Sequence, residues 1–366
     1  MKLLEINSVC GIRSTGRIAT DIASEYEKNG WTCRIAYGRE TVPEKNKDIA
    51  VRIGNETEAK INALKCRLLD NDGFAAKAQT KRFLEWASEY DPDVLWLHNL
   101  HGYYINIELL FAWIKTRPNM KVKWTLHDCW AFTGHCSNFE LQGCEKWKHA
   151  CGCCPLKKAY PSSLLFDRSG NNYEQKKASF LGVSDMEIIT PSEWLAKLVR
   201  ESFLSGYKTT VKHNTIDLSV FKPTPGDFRK RYGLEDKKIV LGVASAWGKT
   251  KGLEDFFAIS KLLGEQYKVV LVGLKEKQKK RIPANILGIT RTNSTRELAE
   301  IYTAADVFVN ATYQDNYPTV NLEAQACGTP CITYRTGGSV ESVSKENIVD
   351  QGDVEGLVKR IIEIVG

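Results

Sequence analysis

The chain has 366 residues, of which 43% are hydrophobic and 26% charged, with a formal net charge of +7. Such a chain exceeds a usual single domain and can bury roughly three quarters of its unfolded surface without staples. No run approaches the roughly 18 apolar residues that span a bilayer, Glu5 interrupts the first apolar run too early for a signal-peptide core, and eleven cysteines in a chain without such a signal argue against a disulfide framework.

The expected location is cytoplasmic. The mild positive charge suits anionic ligands, or peripheral membrane association at the inner face of a membrane. Apolar runs at 2–9, 33–38, 94–99, 121–127, 187–191 and 209–214 read as strands, with amphipathic helical stretches between them such as 16–28, 107–116 and 192–202. Near-continuous apolar strands separated by helices indicate parallel sheet covered on both faces. After the first strand, "SVCGIRSTGRIAT" (8–20) spaces Gly11 and Gly16 by five. That is neither a G-x-G-x-x-G nor a P-loop, which disfavours nicotinamide and ATP.

"WLHNLHGYYIN" (96–106) and "WTLHDCWAFTGHC" (124–136) put His98, His101 and His127 just past strands, where α/β sheets bind ligands. Tyr103, Tyr104 and Trp130 follow them. They read either as core or as stacking surfaces for an acceptor sugar on that side of the site. Six of the eleven cysteines lie between Cys129 and Cys154. Cys136, Cys144, Cys151 and Cys154 supply four thiolates, enough for a closed tetrahedral structural zinc, although only the last pair has finger-like spacing and Cys153 is an alternative ligand. The competing reading is a cluster of reduced thiols packed as small apolar groups.

The pattern breaks at "HNTIDLSVFKPTPGDFRKRYGLEDKK" (213–238), rich in Pro, Gly and charge, and read as an interdomain linker. The expected division is an N-terminal Rossmann-like domain at 1–217, with a Cys-rich insert at about 129–154, and a second at 218–366. Strands then resume at 239–245, 268–273, 286–290, 306–312 and 330–334. The fold class expected is α/β, with two doubly wound domains facing a central cleft. In "ASAWGKTKGLEDF" (244–256), Lys249 and Lys251 precede Gly252 at a helix start, a place to hold phosphate. Asp315 follows the strand at 306–312. Thr319 is the expected cap of a helix through 321–327 that Gly328 ends, with Glu323 near its first turn. Acids at these two heights suit a polyol, since carboxylates accept hydrogen bonds from neighbouring hydroxyls. Taken alone they also read as an Asx turn and a dipole-complementing glutamate. "TGGSVES" (336–342) adds a glycine turn, and "KEKQKKR" (275–281) reads as a solvated face.

The order strand, Lys251-Gly252, strand, Asp315-x7-Glu323, "EAQACGTPCI" and "TGG" resembles the donor half of family 4 glycosyltransferases, the group 1 enzymes of bacterial polysaccharide biosynthesis. The resemblance implies the GT-B fold and retaining transfer from a nucleotide-diphosphate sugar to a glycan or lipid-linked acceptor, with no cofactor required for catalysis. By the same resemblance His127 and Asp315 lie at the transferred sugar, and the donor-binding turn Asn316, Tyr317, Pro318 and Thr319 faces it, with a backbone amide donor on all but the proline. Glu323 faces the ribose, Gly16 and Lys251 the diphosphate, and His98, His101 and Tyr103 the acceptor. This chain departs from the family twice: Asp315 stands where glutamate is usual, and Ala246 stands where an arginine often holds the diphosphate, leaving Lys249 or Arg13 as replacement cations. The alternatives are a nucleotide-sugar epimerase of the same plan, a non-catalytic sugar-nucleotide binder, and a zinc-stapled nucleic-acid-binding protein. Scattered basic residues disfavour the last, so no nucleic acid is expected as partner.

Overall fold

β1 (Lys2–Asn7) buries five of its six side chains, as a strand must when it has parallel neighbours and is covered on both faces. In the computed structural model, which describes every residue from Met1 to Gly366, it leads to α1 (Arg13–Lys28), β2 (Thr32–Tyr37) and β3 (Ala50–Arg52). α1 buries Gly16, Ala19 and Ala23, so its backbone lies close upon the strands. Two helices that the sequence does not mark strongly come next, α2 (Glu56–Leu69) and α3 (Lys77–Tyr90). α2 begins on a capping box between Asn55 and Glu58. β4 (Val94–Leu97), α4 (Ile107–Lys115) and β5 (Lys121–Thr125) follow, and the chain then runs irregularly through the Cys-rich insert to α5 (Ser169–Phe180). β6 (Met186–Thr190), α6 (Glu193–Arg200) and β7 (Lys208–Val211) close the sheet, whose order is β3-β2-β1-β4-β5-β6-β7. Every pairing is parallel.

The chain divides into one unit at Met1–His213 and another at Asn214–Gly366, against an expected boundary at 217/218. The stretch 213–238 is not a plain linker. It carries α7 (Phe228–Arg231), and it plants Phe221, Phe228 and Leu234 in the core of the second unit. Three anchors dispersed among Pro, Gly and charged residues show no periodicity, which is why composition reads as loop.

The second unit continues with β8 (Lys238–Val243), α8 (Leu253–Leu262), β9 (Tyr267–Val272), the short α9 (Glu276–Lys279) and β10 (Ile286–Ile289). α10 (Thr295–Ala304), β11 (Val307–Asn310), α11 (Thr319–Ala326), β12 (Cys331–Tyr334), β13 (Ile348–Val349) and α12 (Val354–Val365) complete it. The parallel order β10-β9-β8-β11-β12-β13 reverses direction between β8 and β11, as that of the first sheet does between β1 and β4. Doubly wound sheets bind ligands outside the carboxyl ends of the strands at such switch points. Successive residues of β8 serve opposite faces: Val240 packs in one apolar cluster, Ile239 and Leu241 in the other. The apolar runs at 94–99 and 121–127 overstate their strands, because β4 ends at Leu97 and β5 at Thr125. The residues left over are the ones that leave the ladder to build a site.

Candidate active site

In the second unit the carboxyl ends of β8 and β11 carry facing loops. A tight turn over Lys249–Lys251 ends at Gly252, whose φ is +65°. A Cβ there would stand 2.2 Å from the Ala311 carbonyl oxygen, so only glycine lets the two loops meet. The amide of Tyr313 donates to the Thr250 carbonyl at 2.9 Å, and the Thr312 hydroxyl donates to the same oxygen at 3.2 Å. This closure brings Lys251 Nζ to 2.6 Å from Asp315 Oδ2 and 3.3 Å from Thr312 Oγ1. The other carboxylate oxygen of Asp315 accepts the amide of Asn316 at 3.1 Å. The family lysine and the first acid therefore neutralise one another at the strand ends.

The second acid is placed differently. Glu323 is 4% exposed, and its Oε2 accepts the Tyr302 hydroxyl at 3.1 Å. α11 starts on Pro318, without the side-chain cap expected of Thr319, because Thr319 is already the first helical residue. Gly328, at φ +88°, follows the helix as expected. Around the helix, Asn321 donates to Ser342 Oγ at 2.8 Å and Thr333 and Ser339 share a hydroxyl contact of 2.7 Å, tying the glycine turn Gly337–Ser342 to the strand ends. The open cavity of about 500 Å³ in this unit is lined by Ile216, Leu218, Tyr317, Gln325 and Glu341 among others, and by none of Lys251, Asp315 and Glu323. Lys249 is exposed, and Arg13 is engaged with Glu40 at 2.7 Å.

In the first unit the chain leaves β4 and β5 at His98 and His127. His98 Nδ1 lies 3.1 Å from His127 Nε2, and His98 Nε2 lies 2.9 Å from Glu5 Oε2, forming a carboxyl–imidazole–imidazole row whose first two members are buried and whose third, His127, is half-buried. Burial first, and Asp21 second, hold Glu5 well above the usual carboxylate range. Burial, then the neighbouring His127, push His98 well below the usual imidazole value. Burial likewise pulls His127 down to about 4. Both rings are thus uncharged near neutral pH, and burial disfavours the charged form of Glu5 beside them. Glu5 is the residue that sequence reasoning missed; its signal was a carboxylate within the otherwise apolar β1.

His101 forms a second pair, with Nε2 2.8 Å from Asp128 Oδ2 and Nδ1 3.1 Å from Tyr160 Oη. Burial opposes its charge, but Asp128 and then Asp72 outweigh burial and raise its pKa, while His101 holds Asp128 low. His98, His101, His127 and Asp128 all line one small cavity of about 10 Å³. Tyr104 and Trp130, at 1% and 2% exposure, are core residues, which removes the stacking role weighed for them. Tyr103 is 7% exposed, with the Arg39 guanidinium over its ring. Gly16 is buried in α1, its carbonyl accepting the Gly11 amide at 3.1 Å, and a Cβ there would meet Val9 at 3.1 Å. Its role is to seat the loop after β1.

All eleven cysteines are free thiols. Cys136, Cys144, Cys151 and Cys154 line a single cavity of about 20 Å³, while Cys153 is exposed. The Gly134 amide donates to Cys151 Sγ at 3.2 Å, and the Trp147 indole donates to the Cys144 carbonyl at 2.9 Å. Lys176, fully buried, donates to the Trp130 and Thr133 carbonyls at 2.7 and 2.9 Å and pins the insert's first turn. As the side chains are turned here, no three His, Cys, Asp or Glu residues converge as a ready metal site. The donor set and the shared cavity suit a soft tetrahedral ion; the present thiol directions do not.

Residues 226–365 match the family described as glycosyl transferases group 1. Over 98% of its length the chain is 24% identical to 90% of the putative colanic acid biosynthesis glycosyl transferase WcaC of Escherichia coli (strain K12). Over 32% of its length it is 28% identical to 32% of the N,N'-diacetylbacillosaminyl-diphospho-undecaprenol alpha-1,3-N-acetylgalactosaminyltransferase of Campylobacter jejuni. The crystal structure of Anabaena HepE in complex with UDP shares the fold, with a TM-score of 0.67 at 15% identity, covering 99% of this chain and 89% of that one. The strand orders and these likenesses together make the chain a glycosyltransferase with the GT-B fold, whose residues 226–365 carry the match to group 1.

Proposed function

We propose that the chain transfers a sugar, with retention, from a nucleotide-diphosphate donor to a lipid-linked glycan acceptor in surface-polysaccharide assembly. The observation that carries this is the Lys251–Asp315 pair at the strand ends of the second unit, a cation beside an acid where doubly wound sheets bind ligands, which supports a diphosphate and a sugar as the groups bound there. On binding, the diphosphate takes over Lys251, and Asp315 is released to accept hydrogen bonds from the sugar hydroxyls. Glu323, held by Tyr302, orients toward the ribose. The acceptor oxygen attacks the anomeric carbon as the bond to the phosphate oxygen breaks on the same face, and the acceptor's proton passes to that phosphate oxygen. Lys251 stabilises the charge that grows there. The complex of HepE with UDP-glucose and the undecaprenol-linked acceptor named for the Campylobacter relative support the two substrate classes.

Four thiols around one cavity also support a structural zinc held by Cys136, Cys144, Cys151 and Cys154. Such an ion supplies folding energy to the insert and takes no part in transfer.

The reading is tested by a thermal-shift screen of nucleoside diphosphates and their sugars, repeated on Lys251→Ala and Glu323→Gln. A donor that stabilises the wild type by several degrees and both variants much less is the expected result. If no nucleotide or nucleotide sugar moves the wild-type midpoint, the assignment fails.

A further inference from the structure

No helix of this chain is long and apolar enough to cross a membrane, yet its exposed apolar residues are not scattered. Of the twelve large hydrophobic side chains most open to water, seven fall in two short segments, 61–69 and 160–166. On α2, Asn62 and Cys66 face inward, while Ile61, Leu64 and Leu69 stand 49%, 60% and 41% exposed. On the loop beyond the Cys-rich insert, Leu164, Leu165 and Phe166 are 61%, 63% and 55% exposed.

The two segments are joined, because the Leu164 amide donates to the Arg67 carbonyl at 2.6 Å. The loop is also built rather than loose. The Ser163 amide donates to the Lys157 carbonyl at 2.8 Å, the Ser163 hydroxyl to the Phe166 carbonyl at 2.7 Å, and Lys157 Nζ to the Leu165 carbonyl at 3.2 Å. These bonds satisfy the backbone and leave three consecutive apolar side chains pointing out. A soluble surface rarely holds such a contiguous patch without a partner.

The surrounding charge selects the partner. Lys60, Lys65 and Arg67 lie on the helix, and Lys157, Lys158 and Arg168 beside the loop. Of the acids nearby, Glu56 pairs with Lys60 at 2.7 Å and Glu58 with Arg82 at 2.6 Å at the start of the helix, Asp70 is buried against His135, and the Asp167 carboxylate is turned to the Cys154 and Ser169 amides, which leaves Lys65, Arg67, Lys157, Lys158 and Arg168 as the cationic rim. Apolar tips within a cationic rim match the interface of an anionic bilayer, where side chains enter the headgroup boundary and lysines meet lipid phosphates. The lysine run at 275–281 has no exposed apolar neighbour in the same stretch and lacks this combination.

We propose that α2 and the 160–166 loop form the surface by which this enzyme docks on anionic membrane. This rests on the reading that the acceptor is lipid-linked. Tyr160 connects the surface to the chemistry: its hydroxyl lies 3.1 Å from His101 Nδ1, and Leu164 follows four residues later, within about 14 Å of chain even if fully extended. An acceptor anchored in the bilayer thus presents its sugar end close to the His101–Asp128 pair.

The test is co-sedimentation of the full chain with phosphatidylglycerol-containing vesicles and with phosphatidylcholine vesicles, in low and high salt. The wild type is expected to bind the anionic vesicles and to be released by salt. The triple variant L164S/L165S/F166S should bind at least tenfold more weakly, and K65E/R67E should lose the salt-sensitive part, both with unchanged melting midpoints and unchanged turnover of a short-chain, water-soluble acceptor. Wild type that stays in the supernatant, or a triple variant that sediments as the wild type does, overturns the proposal; so does a wild-type dimer that the triple variant abolishes while vesicles remain unbound. Vesicle binding with no transfer to any acceptor would instead sink the functional reading and leave the docking surface standing.

Discussion

Asp315 is one methylene shorter than the glutamate usual in the resembled family, and it meets Lys251 at 2.6 Å. Removing the two partners should therefore have opposite effects on bare nucleotide. Lys251→Ala is expected to lower kcat/KM by about 10²–10³, the range for losing one group that stabilises a developing charge. Asp315→Asn should lower turnover too but bind a nucleoside diphosphate more tightly than wild type, since the lysine is freed. Titration calorimetry on the two variants distinguishes them; weaker binding by Asp315→Asn would contradict the pairing.

The histidine row makes a second residue-scale prediction. The His127 pKa lies near 4 in the folded chain and near 6.5 when unfolded, so the unfolded state binds more protons between these values. Its contribution to stability is complete above pH 6.5 and is lost as pH falls toward 4. Glu5, whose pKa is raised, acts with the opposite sign, its contribution fading as pH rises from about 4.5. A comparison of wild type with His127→Asn cancels the Glu5 effect. The variant should lose on the order of 1–2 kcal/mol less stability between pH 6.5 and 4.5, discounted because the ring is half-buried. Equal slopes of melting midpoint against pH would reject it.

At the scale of elements, strands and the loops after them were legible because buried parallel strands are continuously apolar. His98 and His127 were placed correctly past their strands for that reason, although their pairing with Glu5 was not, since burial of one acid inside β1 leaves no periodic trace. α11 starts without the cap expected of Thr319, because helix position and cap residue differ by one and pattern does not resolve that step. The Cys-rich insert was legible as a cluster but not as a shape: the fold brings four of its thiols to one cavity and turns Cys153 outward. Protein purified without chelator is expected to carry about one zinc per chain and to lose the insert's order when the metal is removed, read by elemental analysis and by proteolysis within 129–168. Less than a tenth of an equivalent would dismiss the metal in favour of packed thiols.

For the whole molecule, alternation of strands and helices was enough to foresee two doubly wound units. The boundary was less clear, because Phe221, Phe228 and Leu234 are spread through a polar stretch and bury into the second unit. That unit contains two apolar clusters of its own, one on each face of its sheet, and it contains Lys251, Asp315 and Glu323. Residues 214–366 expressed alone should fold and bind the nucleotide that stabilises the full chain, with Kd within tenfold, while transferring no sugar. An unfolded fragment, seen by circular dichroism, or one that ignores the nucleotide would show that the donor site depends on the other half.

The contact between Lys251 and Asp315 also bears on selectivity against small ions. A bare lysine at a strand end would collect inorganic phosphate or sulfate from the cell, and such ions would block the site. Here the aspartate acts as a resident counter-ion that any incoming anion must outcompete. A lone phosphate gains little by the exchange, whereas a nucleotide sugar brings base, ribose and hexose contacts that reward it. The shorter acid thus works as a filter on the proposed donor site: it holds off small ions and yields to a ligand large enough to repay the exchange.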